Sequence, residues 1–399
     1  MRILKFVGAF LATLIIVFFL SFGYNLDALR TLFKNTKDLK EGREWVSKTA
    51  SLKGLTEYIG QHPNRVSVVS RSQTNPDTTI SFSPNKPHTL GALSNFFLLA
   101  TYAKQVEDGT LDPNEKISLK NIDRYQLPYI GSSDHEDAKN WLDNHNFVNS
   151  QSEVPLKDLV QAMVISDDLA IADYLFYKLG IKSINDTMEL MKAKNTDPPL
   201  PFGGLYIVVK PAPADSSFDL HFKKLRKIPK QAFRDTVLAT EHHFLTDNTY
   251  HDKINDRFDD DEGLGIGFME RRDVLSLFPK STAGELSGLM IQLEQDSLIS
   301  KGVSKRIKEM MNWPFEQQNL NNDFKYYGAI YDSRLGLLNG MDYGASTYTG
   351  EPFGQAVFFD SLQVAFWFHM SSSMMHEDYQ QRLMWDPALR SATQKEISK

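Results

Sequence analysis

Cysteine is absent from the 399-residue sequence, and several chemistries are excluded with it. A chain without thiols forms no disulfide, holds no metal through thiolates and has no cysteine nucleophile. Basic residues are also fewer than acidic residues. The chain has 44 Lys and Arg residues and 50 Asp and Glu residues, which gives a formal net charge of −6. A chain of this charge is not expected to bind nucleic acid.

Metal-binding patterns are missing as well. Glu241-His242-His243 does not have the H-E-x-x-H spacing, so these are interpreted as surface histidines. The acidic residues 259–262 lack the alternating ligands of a calcium loop. We therefore expect neither a metal site nor any other cofactor.

The N-terminus contains a long uncharged stretch. Residues 6–24 carry no charge and follow a short basic segment with Arg2 and Lys5. A membrane-spanning helix needs about 20 apolar residues, whereas the core of a cleaved signal peptide has about 7–15. Residues 1–24 are therefore predicted to form a cytoplasmic tip and an uncleaved transmembrane anchor. A long signal peptide that is cleaved remains the alternative.

The spacing of apolar residues divides the rest of the chain into a helical segment and one larger domain. Residues 25–55 have a period near 3.6, which is typical of a helix, and are interpreted as a juxtamembrane stalk. Residues 56–390 are assigned to one domain, which a helix over residues 374–389 closes. The predicted strands of this domain cover residues 65–71, 78–82, 325–331, 355–359 and 362–370.

Helical patterns fill the middle of the domain. Residues 90–108 are apolar on almost every side and end at Gly109, which predicts a buried central helix. Strands near both ends with helices between them favour an α+β domain. Residues 56–87 and 325–390 are predicted to form an antiparallel sheet with flanking helices, and residues 88–324 an inserted helical lobe.

Two short segments give more specific information. Residues 90–95, Leu-Gly-Ala-Leu-Ser-Asn, open the buried helix, and residues 166–168, Ser-Asp-Asp, follow another helical stretch. Here the chain resembles the class A β-lactamases and their serine-hydrolase relatives. Those proteins place S-x-x-K at the start of a central helix, S-D-N in a helix–helix loop and K-T-G on the innermost strand. The resemblance runs in the same order from about residue 60 to 390, and it implies a β-lactamase/transpeptidase-like fold.

The spacing of the family motifs follows from acyl-transfer chemistry. A serine at a helix N-terminus lies beside backbone N–H groups that can help to form an oxyanion hole. A lysine three residues later lies on the same helix face and can help to activate the serine. Alignment on Leu90-Gly91 and on Gly109 places Ala92 at the nucleophile position and Asn95 at the lysine position. The resemblance thus implies that both reactive groups are lost.

The remaining motifs are also altered. Alignment on the turn at residues 335–336 puts residues 330–332, Ile-Tyr-Asp, at the K-T-G strand, without a lysine. The E-x-x-x-N of the family's deacylation loop does not occur between residues 195 and 215. The S-D-N motif survives as Ser166-Asp167-Asp168, with Asp168 in place of the asparagine. The family positions in these later motifs are thus Ser166, Asp168 and Ile330. The predicted pocket residues are Ser94, Ser166, Asp167, Asp168, Tyr331, Asp332 and Ser333.

Other serines are weaker candidates for a nucleophile. Ser83-Pro-Asn-Lys86 is a literal S-x-x-K, but Pro87 would break any helix that carried it. Ser94 is two residues from the aligned position and lies off the catalytic helix face. Residues 280–282, Lys-Ser-Thr, imitate K-T-G but are interpreted as a helix N-cap. Ser166-Asp167 also fits a cap of the following helix.

These observations predict a catalytically degenerate protein with a single-pass anchor in the inner membrane. Its extracytoplasmic domain is expected to bind a cell-wall peptide, a glycan or an envelope protein. Basic residues after the anchor would favour the cytoplasmic side, but the family resemblance favours the periplasm. Two alternatives stay open: an active serine hydrolase with relocated catalytic residues, and a structural envelope scaffold. The scaffold predicts a pocket filled with side chains.

Overall fold

Residues 26–212 and 217–399 are described by the computed structural model of the chain. The predicted anchor, residues 6–24, lies outside the described residues. In the part of the chain that is described, no helix is both long enough and apolar enough to cross a membrane.

The domain combines strands near its two ends with many helices. The strands are β1 (Val66–Ser72), β2 (Ile80–Phe82), β3 (Pro87–Thr89), β4 (Lys116–Ser118), β5 (Glu153–Pro155), β6 (Lys280–Thr282), β7 (Phe324–Asp332), β8 (Asn339–Ser346) and β9 (Pro352–Phe359). The helices are α1 (Leu26–Lys48), α2 (Leu52–Gln61), α3 (Asn95–Glu107), α4 (Leu119–Asp123), α5 (Ser132–Asn144), α6 (Leu156–Ser166), α7 (Leu169–Leu179), α8 (Ile181–Leu190), α9 (Phe202–Val209), α10 (Phe218–Leu225), α11 (Lys230–Thr246), α12 (Asn248–Asp260), α13 (Phe268–Val274), α14 (Ala283–Glu294), α15 (Lys301–Met311), α16 (Trp313–Gln317), α17 (Val364–Ser372), α18 (Met375–Arg382) and α19 (Pro387–Ile397).

Five strands form one antiparallel sheet in the order β2-β1-β9-β8-β7. Strand β1 pairs with β9, so that Val68 lies opposite Val357, and the early and late parts of the chain meet at this contact. The predicted α+β class and the antiparallel sheet are therefore confirmed. The edge strand β7 faces the helical part of the molecule and carries Asp332 at its end.

Alternating side chains place a core on each face of the sheet. Val69 and Phe358 pack with the helices of the central region in one hydrophobic cluster. Val68 and Phe359 point the other way, into a second cluster that includes Tyr58 of α2. Helix α3 is enclosed within the first cluster, as the apolar pattern at residues 90–108 predicts.

One predicted strand is wrong. Residues 362–370 were expected to be a strand, but residues 364–372 form helix α17. Phe366 and Met370, four residues apart, are fully buried, whereas Phe368 is 48% exposed. A short apolar run does not distinguish a strand from a buried helix, and here the helical spacing decides which side chains are buried.

Two further differences lie in the C-terminal region. Strand β8 was not predicted, because its sequence, Asn-Gly-Met-Asp-Tyr-Gly-Ala-Ser, is poor in β-branched residues. The helix predicted over residues 374–389 is two helices, α18 and α19, and the Asp386 side chain caps the second through the backbone N–H groups of Ala388 and Leu389.

The segment interpreted as a stalk makes contacts with the domain. The carboxylate of Asp38, in α1, forms an ion pair with Arg272 and accepts a hydrogen bond from the backbone N–H of Val364 at 3.2 Å. Further along α1, Trp45 is buried against Tyr58, with ring centroids 5.0 Å apart. From Asp38 onward, α1 is thus packed on the domain.

Residues 280–282 have two structural roles. They pair with β3 as the short strand β6, which was not predicted. Thr282 also caps helix α14, because its side chain accepts a hydrogen bond from the backbone N–H of Glu285. The interpretation of this K-T-G-like segment as an N-cap is confirmed.

Candidate active-site cleft

The helix that would carry the nucleophile is preceded by a tight turn. Residues Gly91–Ser94 form one turn of 3-10 helix, which leads directly into α3. Ala92 and Asn95 are both almost completely buried. Neither side chain supplies a hydroxyl nucleophile or a basic amine, so the start of this helix lacks both reactive groups of S-x-x-K.

Residues 166–168 form the turn between α6 and α7. Asp167 adopts a left-handed conformation with φ of 54°, which ends α6. The Asp168 carboxylate caps α7 by accepting hydrogen bonds from the N–H groups of Ala170 and Ile171 at 2.7 and 3.0 Å. It also contacts Nδ1 of His135 at 2.7 Å. The sequence suggested this capping role for Ser166-Asp167, but the cap is the next residue, Asp168, because Asp167 ends the preceding helix.

Asp332 occupies the space at the N-terminus of the central helix. Its Oδ2 atom accepts a hydrogen bond from the backbone N–H of Ala92 at 3.0 Å. A Cβ atom on Gly91 would lie 1.5 Å from the same oxygen, so only glycine permits this approach. Gly91 also has a φ of +55°, which disfavours other residues. A carboxylate thus covers the backbone donor that an oxyanion hole would use.

Arg334 connects the strand end to the loop after α6. Its Nη1 atom lies 2.9 Å from Oδ2 of Asp167 and 3.0 Å from Oδ1 of Asp332. The guanidinium also lies over the ring of Phe202, 4.8 Å from its centroid. Asn95 completes the group, since its side-chain amide is 3.4 Å from Asp167 Oδ1. We call Asn95, Asp167, Asp332 and Arg334 the ionic cluster.

Burial and neighbouring charges shift the pKa values of Asp167 and Arg334 in opposite directions. Burial raises the pKa of Asp167 well above its ordinary value, although the Arg334 cation opposes this effect. Burial favours the neutral form of Arg334, but the carboxylates of Asp167 and Asp332 raise its pKa above the ordinary value. The guanidinium is therefore a permanent cation that lies between the half-buried carboxyl of Asp167 and the buried carboxyl of Asp332.

Little open space remains beside the ionic cluster. The adjacent cavity has a volume of about 150 Å³, and its walls include Tyr129, Tyr206 and Arg334. Ligand pockets usually have about 300–1,000 Å³. The side chains of the cluster and its neighbours thus fill most of the cleft.

The other predicted site residues do not join the cluster. Ser94 is buried, and its hydroxyl donates to the Gly91 carbonyl at 2.7 Å. Ser166 is half-buried and Ser333 is exposed. The phenol of Tyr331 hydrogen-bonds with that of Tyr327. Ile330 is also buried, in the hydrophobic cluster around α3.

No relocated Ser–Lys pair is present in the described part of the chain, where no lysine amine hydrogen-bonds to a serine hydroxyl. Lys86 of the literal S-x-x-K contacts the side-chain oxygen of Asn64 at 3.0 Å instead. Within residues 26–212 and 217–399, no group of His, Asp and Glu side chains is placed to hold a metal ion.

A Ser–His–Asp arrangement exists elsewhere, in the sheet region, and sequence reasoning missed it. Ser67 Oγ lies 2.8 Å from His88 Nε2, and His88 Nδ1 lies 3.5 Å from Asp360 Oδ2. However, Ser67 and His88 are only 0% and 1% exposed, and the Ser67 hydroxyl donates to the carbonyl of Ser83 at 2.8 Å. A substrate does not reach this serine, and the contacts hold β3 against β1.

A five-stranded antiparallel sheet, an inserted helical region and a buried helix that begins opposite the edge strand define the β-lactamase type of serine-hydrolase fold. A family model described as the beta-lactamase enzyme family matches residues 50–363, which is more than half of the chain. The chain belongs to this family.

A solved structure of a similar protein agrees with this fold, and a second similar structure is given for comparison. A β-lactamase from Sphaerobacter thermophilus DSM 20745 is 11% identical with a TM-score of 0.50, and the match covers 84% of this chain and 98% of that one. A β-lactamase from Chitinophaga pinensis DSM 2588 is 13% identical with a TM-score of 0.47, and the match covers 84% and 99% of the two chains. At 11% identity, the first of these matches shows the fold alone. No curated protein matches the chain.

Proposed function

We propose that this chain is a non-acylating member of the beta-lactamase family that acts by binding a peptide, glycan or protein of the cell envelope. The observation that carries the proposal is the Asp332 carboxylate, which accepts the Ala92 N–H at 3.0 Å where acyl transfer needs a free donor. An oxyanion hole stabilises developing negative charge through such donors. A carboxylate at that position repels the charge instead.

Two further groups needed for acyl transfer are missing from the same place. Ala92 has no nucleophilic atom, and the amide of Asn95 is not a base at neutral pH. The aspartates that could act as bases are held by Arg334 at 2.9 and 3.0 Å. The nucleophile and its activating amine are thus absent, and the oxyanion donor is occupied by the Asp332 carboxylate.

A structural scaffold in the envelope is the second candidate. It is favoured by the small cavity of about 150 Å³ beside the ionic cluster, because a scaffold does not need an open pocket. An active hydrolase with relocated residues has less support, since the Ser67–His88–Asp360 arrangement is buried.

The proposal places the domain outside the cytoplasm, tethered by residues 6–24. The uncharged sequence of these residues supports the tether. We expect the full-length chain to remain in the membrane fraction after an alkaline carbonate wash, and a chain lacking residues 1–24 to be soluble. Recovery of full-mass protein in the soluble fraction would refute an uncleaved anchor.

The proposed lack of acylation is tested by labelling the purified domain with a fluorescent penicillin, followed by mass spectrometry. We expect no covalent adduct, because the only described serine–histidine–aspartate arrangement is buried and Ala92 stands at the nucleophile position. A β-lactamase with an intact S-x-x-K, treated in parallel, shows that the probe reacts. A stable adduct on any serine of this chain would overturn the proposal and would identify the nucleophile.

A further inference from the structure

A short run of basic residues differs from the rest of this acidic chain. Residues 223–230, Lys-Lys-Leu-Arg-Lys-Ile-Pro-Lys, contain five cations and no acid, although the whole chain has a formal net charge of −6. They form the end of α10 and the turn that leads to α11, and all five basic residues are exposed. Positive charge is therefore concentrated on one small part of the surface.

The helical spacing of α10 separates an apolar inner face from a basic outer face. Leu225 belongs to the main hydrophobic cluster, and Phe222 packs against it. Leu220, Lys223 and Lys224 are related by i, i+3 and i+4, so they lie on one side of the helix. All three are exposed, and the exposed fraction of Leu220 is 48%. The helix thus presents a leucine beside lysines to solvent.

Several of these cations have no counter-charge within the protein. In the described part of the chain, Lys223, Arg226 and Lys227 form no ion pair. Lys230 differs from them, because it pairs with Asp197. Exposed cations that are close together and not neutralised create a positive local potential, which attracts an anionic partner.

The position of the cations at the end of a helix explains only part of this pattern. A cation in the last turn stabilises a helix through its dipole, and Lys223 and Lys224 lie in the last turn of α10. One or two cations are enough for that effect. It does not involve the exposed side chain of Leu220, and it does not account for the cations that follow the helix.

An anionic lipid surface fits both the charge and the exposed leucine. A helix with basic residues and an exposed apolar side chain binds at the boundary between the headgroups and the acyl chains of a membrane. Residues 6–24 would hold the domain beside a membrane at a high effective concentration, and in this respect the inference rests on the proposed tether. An acidic protein would match the cations but would not need the leucine.

We propose that α10 docks on the anionic headgroups of the membrane to which the chain is tethered. The docking surface consists of Leu220, Lys223, Lys224, Arg226 and Lys227, and we call it the α10 surface. Its cations would lie on the lipid phosphates, with Leu220 at the boundary of the acyl chains. Docking would fix the orientation of the domain on the membrane.

The absence of cysteine permits a site-specific test on the full-length chain. In Leu220→Cys, the single thiol is labelled with a fluorophore whose emission shifts to the blue in an apolar environment. We expect a blue shift in vesicles of phosphatidylcholine with phosphatidylglycerol, and none in phosphatidylcholine alone. Tyr348→Cys is the control label, because Tyr348 is 65% exposed and its phenol donates to the Asp323 carboxylate at 2.7 Å. We expect no shift there in either vesicle.

Removing cations from the α10 surface should weaken docking. In the labelled protein, we expect Lys223→Gln combined with Lys227→Gln to lower the ratio of docked to undocked chains by about five-fold for each lysine. Lys230→Gln is the matched control, and we expect a clearly smaller change because its ammonium already pairs with Asp197. Raising the salt concentration from about 0.1 M to 1 M, which shortens the screening length from about 10 to 3 Å, should release the surface.

Three results would overturn the proposal: no shift with phosphatidylglycerol, an equal shift in phosphatidylcholine alone, or an equal loss of docking in Lys230→Gln. A label that responds to soluble polyglutamate but not to phosphatidylglycerol would also overturn it, and would assign the α10 surface to an acidic protein. If the double variant does not fold, the difference between the two vesicle compositions and its loss at high salt decide the question.

Failure of the tether and failure of the docking surface give different results. If the full-length chain proves soluble, the same labelled protein is mixed with preformed vesicles. A blue shift with phosphatidylglycerol under these conditions supports the α10 surface without an anchor. No shift in a chain that does remain in the membrane fraction overturns the α10 surface and leaves the tether intact.

Discussion

Replacing Ala92 with serine is expected to leave the protein without detectable acylation by a β-lactam. Residues of a serine-hydrolase site act as a unit, and loss of the nucleophile or of its base costs about 10⁶-fold in rate in other members of this mechanistic class. The variant Ala92→Ser would restore one member only. Asn95 supplies no base, so the new hydroxyl would stay protonated near neutral pH.

The Asp332 carboxylate adds a second obstacle to that restoration. It accepts the N–H of residue 92 at 3.0 Å, where the oxyanion of an acylation intermediate would need a donor. We therefore expect Ala92→Ser combined with Asn95→Lys to remain inactive as well, because an introduced lysine would face the Asp167 carboxylate that Asn95 now contacts at 3.4 Å.

Intact-protein mass spectrometry after incubation with penicillin measures this outcome. Ala92→Gly is the matched control, since it changes the same position without adding a hydroxyl. An adduct in Ala92→Ser that is absent from Ala92→Gly would show that the cleft retains acyl-transfer machinery, contrary to the role assigned to Asp332.

Replacing Arg334 with methionine is expected to lower the free energy of unfolding by about 3–5 kcal/mol at pH 7.5. Removing one partner of a buried ion pair leaves an uncompensated charge, which typically costs this amount. Here two carboxylates, of Asp167 and Asp332, would lose the cation that lies 2.9 and 3.0 Å away. Chemical denaturation measures the change.

The loss of stability caused by Arg334→Met should depend on pH. Burial raises the pKa of Asp167, so in the folded variant this carboxyl holds its proton to higher pH than in the unfolded chain. Stability of the variant therefore falls as the pH rises above the unfolded carboxyl pKa of about 3.9. We expect a smaller loss at pH 4.5 than at pH 7.5.

Arg271→Met is the matched control for Arg334→Met. Arg271 lines the same small cavity, but within the described part of the chain its guanidinium donates only to backbone carbonyls, those of Ile266 at 3.1 Å and Glu262 at 3.5 Å. We expect a clearly smaller loss of stability in this variant. Equal losses in the two variants at pH 7.5 would mean that the ionic cluster contributes no more than ordinary packing.

Sequence patterns predicted those strands, helices and caps that are determined by residues close together in the chain. The alternation around Val68 predicted a strand, because successive side chains of a strand point to opposite faces. The apolar segment at residues 90–108 predicted the enclosed helix α3. A cap was predicted at Ser166-Asp167, because serine and aspartate at a helix start accept backbone N–H groups. The cap is one residue further on, at Asp168, which accepts two such groups at 2.7 and 3.0 Å.

The features that were missed depend on contacts between distant parts of the chain. Residues 364–372 form a helix because Phe366 and Met370 bury the same helical face against the sheet, a choice that an apolar run does not reveal. Strand β8 is enclosed by its neighbours, which allows a glycine-rich sequence to form a strand.

Arg334 illustrates the same limit within the site. Alignment with the family motifs identified Asp167 and Asp332 as pocket residues. It did not identify the arginine between them, because no family motif has a residue of this kind at that position. The one available signal was a cation two residues after a strand end, with aspartates at two motif positions that lacked a positive partner.

The absence of acyl chemistry is tested most directly by turnover of a chromogenic cephalosporin by the purified protein. Ala92→Gly serves as the reference, together with Ser94→Ala and Ser166→Ala, which remove the two serines nearest the motif positions. The predicted result is a hydrolysis rate equal to that of buffer in all four proteins. Turnover in the unaltered protein that is lost in any of these variants would contradict the assignment of a non-acylating cleft.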